Sequence, residues 1–253
     1  MNYQGSKSRV AKYIVPIIQK AIDDNDIHYY LEPMCGGLNI IDKIKCDRKF
    51  AYDLNKYLIY LFIHIKDGGK LPDNISDEYY NALRSAWYED NRDKKFQDWE
   101  IGLLWLSSFS GRGPDGGRSI EGIEKRKDGT VIQRHYYQER KANILKQFEQ
   151  PLCRNIMFGI SDYRDLTGLK DYVLYLDPPY ESQKEYANSK YFSHITFWEK
   201  MREWSQDNIV LVSELKAPED FECIWQQEVS RSIKATDKTK AIEKLFRYKY
   251  GRK

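Results

Sequence analysis

The stretch 174–180 constrains the fold more than any other, because a short apolar run ends there in Asp-Pro-Pro-Tyr. Residues 172–176 (Tyr-Val-Leu-Tyr-Leu) are apolar and are followed by turn residues, a pattern typical of a buried parallel strand. The two prolines that follow cannot continue the hydrogen-bonded ladder. Ligands of open α/β sheets bind beyond the carboxyl ends of the strands. The sequence therefore predicts that Asp177 and Tyr180 lie where chemistry occurs.

The turn is suited to activating an aromatic amine such as that of adenine. The exocyclic nitrogen of adenine is a weak nucleophile because its lone pair is delocalised into the ring. The Asp177 carboxylate and the Pro178 carbonyl can accept hydrogen bonds from this amine, and the rigid backbone at Pro179 holds both acceptors in place before the reaction. The ring of Tyr180 can stack on the base. An ordinary turn with a surface tyrosine is the alternative.

Asp-Pro-Pro-Tyr after a hydrophobic strand resembles the catalytic motif of amino-methyltransferases that use S-adenosylmethionine. The aspartate form is typical of enzymes acting on adenine N6, whereas cytosine-N4 enzymes usually carry serine and glutamine-N5 protein methylases asparagine. The order of motifs along nearly the whole chain resembles the DNA adenine methylase (Dam-type) family in particular. By this resemblance the catalytic residues are Asp177, Pro178, Pro179 and Tyr180.

The resemblance implies the fold, the reaction and the partners. The expected fold is α/β, a Rossmann-like sheet of the class I methyltransferases with an inserted, mainly helical DNA-recognition segment. The expected reaction is site-specific methyl transfer from S-adenosylmethionine to a flipped-out adenine of double-stranded DNA, without a metal ion. Methylation of RNA adenine or of protein glutamine, and a DNA-binding module without catalysis, remain as alternatives.

Two segments near the N-terminus resemble the cofactor motifs of that family. Residues 3–9 (Tyr-Gln-Gly-Ser-Lys-Ser-Arg) precede a helical pattern, and residues 28–40 predict a strand, a Gly-Gly turn and the start of a helix. Glycines let a ligand approach the backbone closely. A dinucleotide site is less favoured because the full Gly-x-Gly-x-x-Gly pattern is absent, and plain capped turns are the other explanation. The resemblance places at the cofactor Tyr3, Lys7, Glu32, Pro33, Met34, Cys35, Gly36 and Gly37.

Carboxylates at the ends of two further predicted strands complete the predicted cofactor site. Asp53 follows the glycines at a spacing where an acid typically binds ribose hydroxyls, although a helix cap would also explain it. Asp162 and Tyr163 end a third predicted strand and resemble the family's Asp-Phe pair, which holds the adenine of the cofactor; a surface turn is the alternative. Asp177 is assigned to the cofactor-binding residues as well as to the catalytic ones.

Residues 67–148 interrupt the α/β pattern and predict an inserted target-recognition segment between the catalytic parts 1–66 and 149–253. Helical character at 77–90 and 98–109 is followed by a polar glycine-rich loop and an Asp-Gly turn signal. Clustered positive charge suits contacts to phosphates and to guanine edges, although a solvated loop explains any single residue equally well. The predicted DNA-binding residues are Arg112, Arg118, Lys125, Arg126, Lys127 and Arg134.

Composition is consistent with an enzyme-sized chain in a reducing compartment. The 253 residues, of which 41% are hydrophobic, suffice for a buried core, and the net charge of +3 does not exclude a locally basic face. Four cysteines without a Cys-x-x-Cys pair argue against zinc and against a disulfide framework. No apolar run has membrane-spanning length, and no signal-peptide core precedes the first motif. We therefore expect a cytoplasmic protein, and the family resemblance implies that it is encoded by a bacterium or phage. The polar and aromatic stretch 181–192 predicts a mobile lid near the flipped base.

Overall fold

The structure is a computed structural model that describes residues 1, 3, 5–126, 128–180, 192–234 and 237–252. The chain divides into two compact units. The sheet unit consists of Lys7–Cys35, Lys43–Leu54 and Asn155–Lys253, and the helical unit consists of Met1–Ser6, Gly36–Asp42 and Asn55–Arg154.

The described part of the chain contains nine named strands and six α-helices. The strands are β1 (Tyr29–Glu32), β2 (Arg48–Asp53), β3 (Glu121–Lys125), β4 (Val131–His135), β5 (Ile156–Ile160), β6 (Tyr172–Leu176), β7 (Ile209–Glu214), β8 (Phe221–Lys234) and β9 (Asp237–Tyr248). The helices are α1 (Ala11–Asp24), α2 (Lys56–Lys66), α3 (Asp77–Tyr88), α4 (Asp98–Ser107), α5 (Tyr136–Glu149) and α6 (His194–Trp204). None of the helices in the described part of the chain combines the length and apolar composition that a membrane crossing requires.

The sheet unit is built on one seven-stranded sheet in the order β5-β2-β1-β6-β7-β9-β8. The first five strands of this order run parallel, and β9 runs antiparallel to both of its neighbours, β7 and β8. The predicted Rossmann-like methyltransferase sheet is therefore confirmed. In the centre, Leu174 of β6 pairs with Leu31 on one side and Val210 on the other. Residues 173–176 of β6 are all buried, so both faces of this strand are covered, which explains the continuous apolar run in the sequence.

Helix α6 covers part of this sheet with large apolar side chains. Phe197, Met201 and Trp204 are all buried, and their spacing puts them on one face of the helix. They pack with Leu174 and Val210 in a single apolar cluster. Each large side chain buried in this way stabilises the fold by about 1.5–3 kcal/mol. The core therefore supports the strands on which the carboxyl-edge residues stand.

The helical unit contains α2 to α5 and the two-stranded sheet of β3 and β4. Helix α3 begins where the Ser76 side chain accepts a hydrogen bond from the Tyr79 amide, at 3.1 Å. Gly102 of α4 lets two helices approach closely, because a Cβ there would lie 2.5 Å from the Tyr57 carbonyl oxygen. The predicted helical stretches 77–90 and 98–109 correspond to α3 and α4.

Two local predictions differ from the structure. The turn after β1 leads into a single 3₁₀ turn, Ile41–Lys43, and not into the expected α-helix. Gly36 and Leu38 have φ values of +44° and +57°, which no helix accommodates. The alternating stretch 245–250 (Leu-Phe-Arg-Tyr-Lys-Tyr) predicts a last strand. In the structure that strand begins already at Asp237 and ends at Tyr248, and its partner β8 is not predicted by the sequence. Both strands of that hairpin are rich in polar residues, so their alternation is weak.

Candidate active site

Carboxylates follow one another along the carboxyl edge of the parallel strands. Glu32 and Asp53 are the last residues of β1 and β2, Asp177 follows β6, and Asp162 lies just beyond β5. The strand order β5-β2-β1-β6 makes these strands neighbours, so the side chains stand at one edge of the sheet. This is the edge at which open α/β sheets bind ligands.

Asp177 belongs to a cluster of charged and hydroxyl groups at this edge. The Lys7 ammonium lies 2.8 Å from Asp177 Oδ1 and 3.8 Å from Glu243 Oε2. The Tyr180 hydroxyl donates a hydrogen bond to the same Glu243 oxygen, at 2.8 Å. The Lys7 Nζ atom also stands over the Tyr180 ring, 4.6 Å from its centroid. One lysine thus contacts two carboxylates and the aromatic ring.

Burial dominates the electrostatics of this cluster. It raises the pKa of Asp177, the Lys7 ammonium counteracts the rise, and the Glu243 carboxylate adds to it. Burial and the carboxylates of Asp177 and Glu243 hold the pKa of Tyr180 well above its usual range. The phenol therefore remains a neutral hydrogen-bond donor at physiological pH. About a fifth of the Asp177 side chain (22%) remains exposed, so the carboxylate is accessible to a ligand.

Tyr180 is held more firmly than a surface residue would be. Only 7% of it is exposed, and its hydroxyl is anchored by Glu243. One face of its ring is turned to Lys7. The predicted stacking of Tyr180 on a base stays a prediction, and it would have to use the part of the ring that Lys7 does not cover.

The end of β1 presents a second set of carboxylates. Glu32 is buried and accepts a hydrogen bond from the Tyr30 hydroxyl at 2.7 Å. Burial, together with the negative charges of Asp53 and Glu32, raises the pKa of the Cys35 thiol well above its usual range. The Cys35 amide donates to the Tyr52 carbonyl at 2.9 Å. Cys35 is therefore a neutral packing residue whose backbone is tied to the neighbouring strand β2.

The predicted pair of Asp162 and Tyr163 is engaged by other residues. Asp162 accepts hydrogen bonds from the Arg164 amide at 2.9 Å and from its guanidinium at 2.9 and 2.6 Å. The Arg164 side chain lowers the pKa of Asp162. The Tyr163 ring is buried in the core, 5.7 Å from the Phe197 ring and edge-on to it. A ligand at Asp162 would have to share the carboxylate with Arg164.

The glycine turn and the opening tyrosine meet within the helical unit. A Cβ at Gly36 would lie 3.0 Å from the Tyr3 ring, and one at Gly37 would lie 2.7 Å from the Tyr3 Cβ atom. Both glycines are therefore needed for the close packing of Tyr3. In the sheet unit, Pro33 is buried and Met34 packs against the apolar cluster.

The predicted DNA-binding residues of the helical unit fall into two groups. Arg134 is held by Glu124 and Glu139, and Arg118 pairs with Asp77 at 2.9 Å and donates to a backbone carbonyl. The other group is exposed at the surface and consists of Arg112, Lys125 and Arg126. Lys127 and residues 181–191 of the predicted lid over 181–192 lie outside the described residues.

Sequence reasoning missed Glu243, although it is buried and contacts both Lys7 and Tyr180. It sits in a polar strand without a motif, and only the pairing of β9 with β7 brings it to the carboxyl edge. No signal in the local sequence distinguishes it from the exposed acids of the same hairpin. Within the described ranges, no group of three or more His, Cys, Asp or Glu residues is arranged to hold a metal ion.

The sheet order is consistent with a Rossmann-like methyltransferase fold. The chain belongs to the D12 class N6 adenine-specific DNA methyltransferase family, whose sequence pattern matches residues 3–210. The predicted membership of the DNA adenine methylase family is thereby confirmed. No curated protein is similar enough to match the chain.

Proposed function

We propose that the chain transfers a methyl group from S-adenosylmethionine to the N6 nitrogen of an adenine flipped out of double-stranded DNA. Membership of the adenine-specific family supplies the reaction class. The observation that carries the assignment is the pair of Asp177 and Lys7 directly beyond the central strand β6, with 2.8 Å between carboxylate and ammonium. This is an acceptor paired with an ammonium in a partly buried setting, an arrangement suited to the activation of a weakly nucleophilic amine.

The carboxyl edge suits a cationic cofactor. S-adenosylmethionine, when bound, supplies an electrophilic methyl group on a positively charged sulfur. Glu32, Asp53 and Asp177 follow neighbouring strands and place negative charge along this edge. Their charges act through poorly solvated surroundings, as the raised pKa of the Cys35 thiol indicates. Carboxylates also accept hydrogen bonds from ribose hydroxyls, and we assign that role to Asp53.

At the target base, the residues of the turn act by position and charge. The Asp177 carboxylate and the Pro178 carbonyl accept the two hydrogens of the amine, which localises its lone pair on nitrogen. Bound S-adenosylmethionine would supply the methyl group to this nitrogen, and the electron pair of its sulfur–carbon bond would remain on sulfur. The excess proton on nitrogen passes to Asp177 or to water. The Lys7 ammonium favours the ionised form of Asp177, because it opposes the rise in pKa that burial causes.

Contacts to DNA are assigned to the exposed cations of the helical unit. Lys125 and Arg126 lie at the end of β3, and Arg112 lies on the glycine-rich loop. Exposed ammonium and guanidinium groups neutralise phosphates and release counterions on binding. Arg118 and Arg134 are engaged by acids of their own unit, so we assign them to the fold of that unit.

The assignment is tested by incubating the purified chain with tritiated S-adenosylmethionine and unmethylated duplex DNA. Hydrolysis of the DNA to nucleosides and chromatography then separate N6-methyldeoxyadenosine from N4-methyldeoxycytidine. We expect label only in methylated adenine, with matched RNA and protein as inactive acceptors. Label in cytosine, RNA or protein, or no label in DNA, would contradict the proposal. Methylation-aware sequencing of DNA from a methylase-free host expressing the chain would then give the recognised site.

A further inference from the structure

The C-terminal hairpin brings an additional acid to the carboxyl edge of the sheet. Phe246 of β9 pairs with Val212 of β7, which in turn pairs with Leu176 of β6. Asp177 follows Leu176 on β6. Because β9 runs antiparallel to β7, Glu243, which precedes Phe246, lies towards the same carboxyl edge of the sheet as Asp177. Glu243 lies beyond residues 3–210, so the family match does not assign it a role.

The contacts of Glu243 are specific and poorly solvated. Only 9% of the residue is exposed. Its Oε2 atom accepts the Tyr180 hydroxyl at 2.8 Å and lies 3.8 Å from Lys7 Nζ. Lys7 is in turn 2.8 Å from Asp177. A single carboxylate thus fixes the far end of the Tyr180 side chain and shares the lysine that neutralises Asp177.

A buried carboxylate is costly unless it has partners, so this one is expected to have a role that offsets the cost. Anchoring through the phenol hydroxyl leaves the Tyr180 ring with few orientations. The backbone of the same turn carries the Pro178 carbonyl, so an anchor at Tyr180 also restrains the acceptors of the target amine. Small displacements of such groups have large effects on rate, because catalysis depends on prior positioning.

We infer that Glu243 is a positioning residue for methyl transfer, which acts by holding Tyr180 in the orientation that the target adenine requires. The inference rests on the proposed function. It predicts a loss in kcat with little change in the affinity for S-adenosylmethionine, because Glu243 acts through Tyr180 and not on the cofactor. It also predicts that E243Q, whose side chain has the same length and still carries an acceptor, retains most of the function. E243D, whose side chain is shorter, should not retain it.

The test compares E243A, E243D and E243Q with the wild type in steady-state methyl transfer at saturating DNA and S-adenosylmethionine, together with calorimetry of cofactor binding. We expect E243A and E243D to lower kcat by about 10- to 100-fold, the loss of one hydrogen bond to a charged group. E243Q, whose amide oxygen still accepts from the phenol, is expected to recover most of the rate. Glu222 pairs with Arg247 at 2.8 Å on the same hairpin and offers the matched control E222Q. We expect E222Q to leave kcat unchanged.

A double-mutant cycle with Y180F separates positioning from a general effect on the fold. If Glu243 acts through Tyr180, the double variant E243A/Y180F should have nearly the same kcat as Y180F alone. A fully additive loss, or wild-type kcat in E243D, would overturn the inference. Should E243A fail to fold, E243D and E243Q, which keep a polar group at the site, decide the question alone. A wild-type chain that forms no methyladenine overturns both proposals; methyladenine with unchanged variants overturns only this one.

Discussion

The Asp177 cluster of the sheet unit and the β3–β4 hairpin of the helical unit use charge in opposite ways. In the cluster, Lys7 and the carboxylates are buried or partly buried and lie in direct contact. In the hairpin, Lys125 and Arg126 are exposed. Buried charges interact strongly and only in one geometry, whereas exposed charges are screened by salt and act mainly through their sum. We therefore expect substitutions in the cluster to have large effects and those in the hairpin to have graded ones.

The largest effect is expected for D177A, which removes the acceptor assigned to the target amine. We predict a fall in kcat of about 100- to 1000-fold, as for the loss of one preorganised electrostatic partner. Binding of S-adenosylmethionine should change far less, because Glu32 and Asp53 remain. Tritium transfer and calorimetry measure the two quantities. Asp165, an exposed acid of the same unit, gives the control D165A, and D177A with kcat within tenfold of wild type would show that Asp177 is not catalytic.

A smaller effect with a distinctive pH dependence is expected for K7M. Burial raises the pKa of Asp177 and the Lys7 ammonium opposes that rise, so removing the ammonium raises the pKa further. Transfer requires the ionised carboxylate, so the acidic limb of kcat against pH should move to higher pH. Glu243 and Tyr180 face the same site and stay in place. K7R, which keeps the charge, should retain the wild-type limb, and an unmoved limb in K7M would refute the electrostatic role.

The carboxyl-edge site shows which parts of an active site a sequence can predict. Asp177 stands directly after an apolar strand, and the pattern alone predicts both the strand and the position of the acid at its end. Glu32 and Asp53 likewise end strands β1 and β2. Local patterns suffice here because a buried parallel strand has an unmistakable composition and a fixed edge.

Glu243 shows what a sequence cannot predict. Its role depends on the pairing of β9 with β7, which is a contact between distant parts of the chain. The same holds for Arg134, whose type and loop position predict DNA binding while its contacts to Glu124 and Glu139 depend on the hairpin register. Gly36 and Leu38 provide a third case, because their positive φ values are incompatible with the α-helix that the sequence predicts at this point. Long-range register and local backbone strain thus escape pattern reasoning.

An intermediate effect is expected at the cofactor carboxylates. D53A should weaken S-adenosylmethionine by about 1–3 kcal/mol, since it leaves a buried donor of the ligand without its acceptor. D162A should have a smaller effect, because Arg164 already occupies that carboxylate. Calorimetry with the cofactor measures both affinities. A wild-type dissociation constant in D53A would show that Asp53 is a structural residue at the end of β2.

The smallest and most graded effect is expected in the hairpin, where R126A and R134A form a matched pair. Arg126 is exposed, so its loss should weaken binding to all DNA sequences alike and reduce the salt dependence by about one counterion. The Arg134 guanidinium already pairs with Glu124 and Glu139, so its loss should leave the salt slope unchanged and instead destabilise the hairpin. Titrations of DNA at several salt concentrations, with thermal unfolding of each variant, distinguish the two outcomes.

R112A tests an exposed arginine outside the hairpin, because Arg112 lies on the glycine-rich loop. If Arg112 contacts a base edge, its loss should cost about 1–3 kcal/mol on the recognised site only and relax one position of that site. If it contacts a phosphate, R112A should behave as R126A does. Methylome sequencing of hosts expressing each variant shows which applies. Unchanged affinity, salt slope and site preference in both R112A and R126A would show that this segment does not recognise DNA. The residues after Tyr180 would then be the next to test.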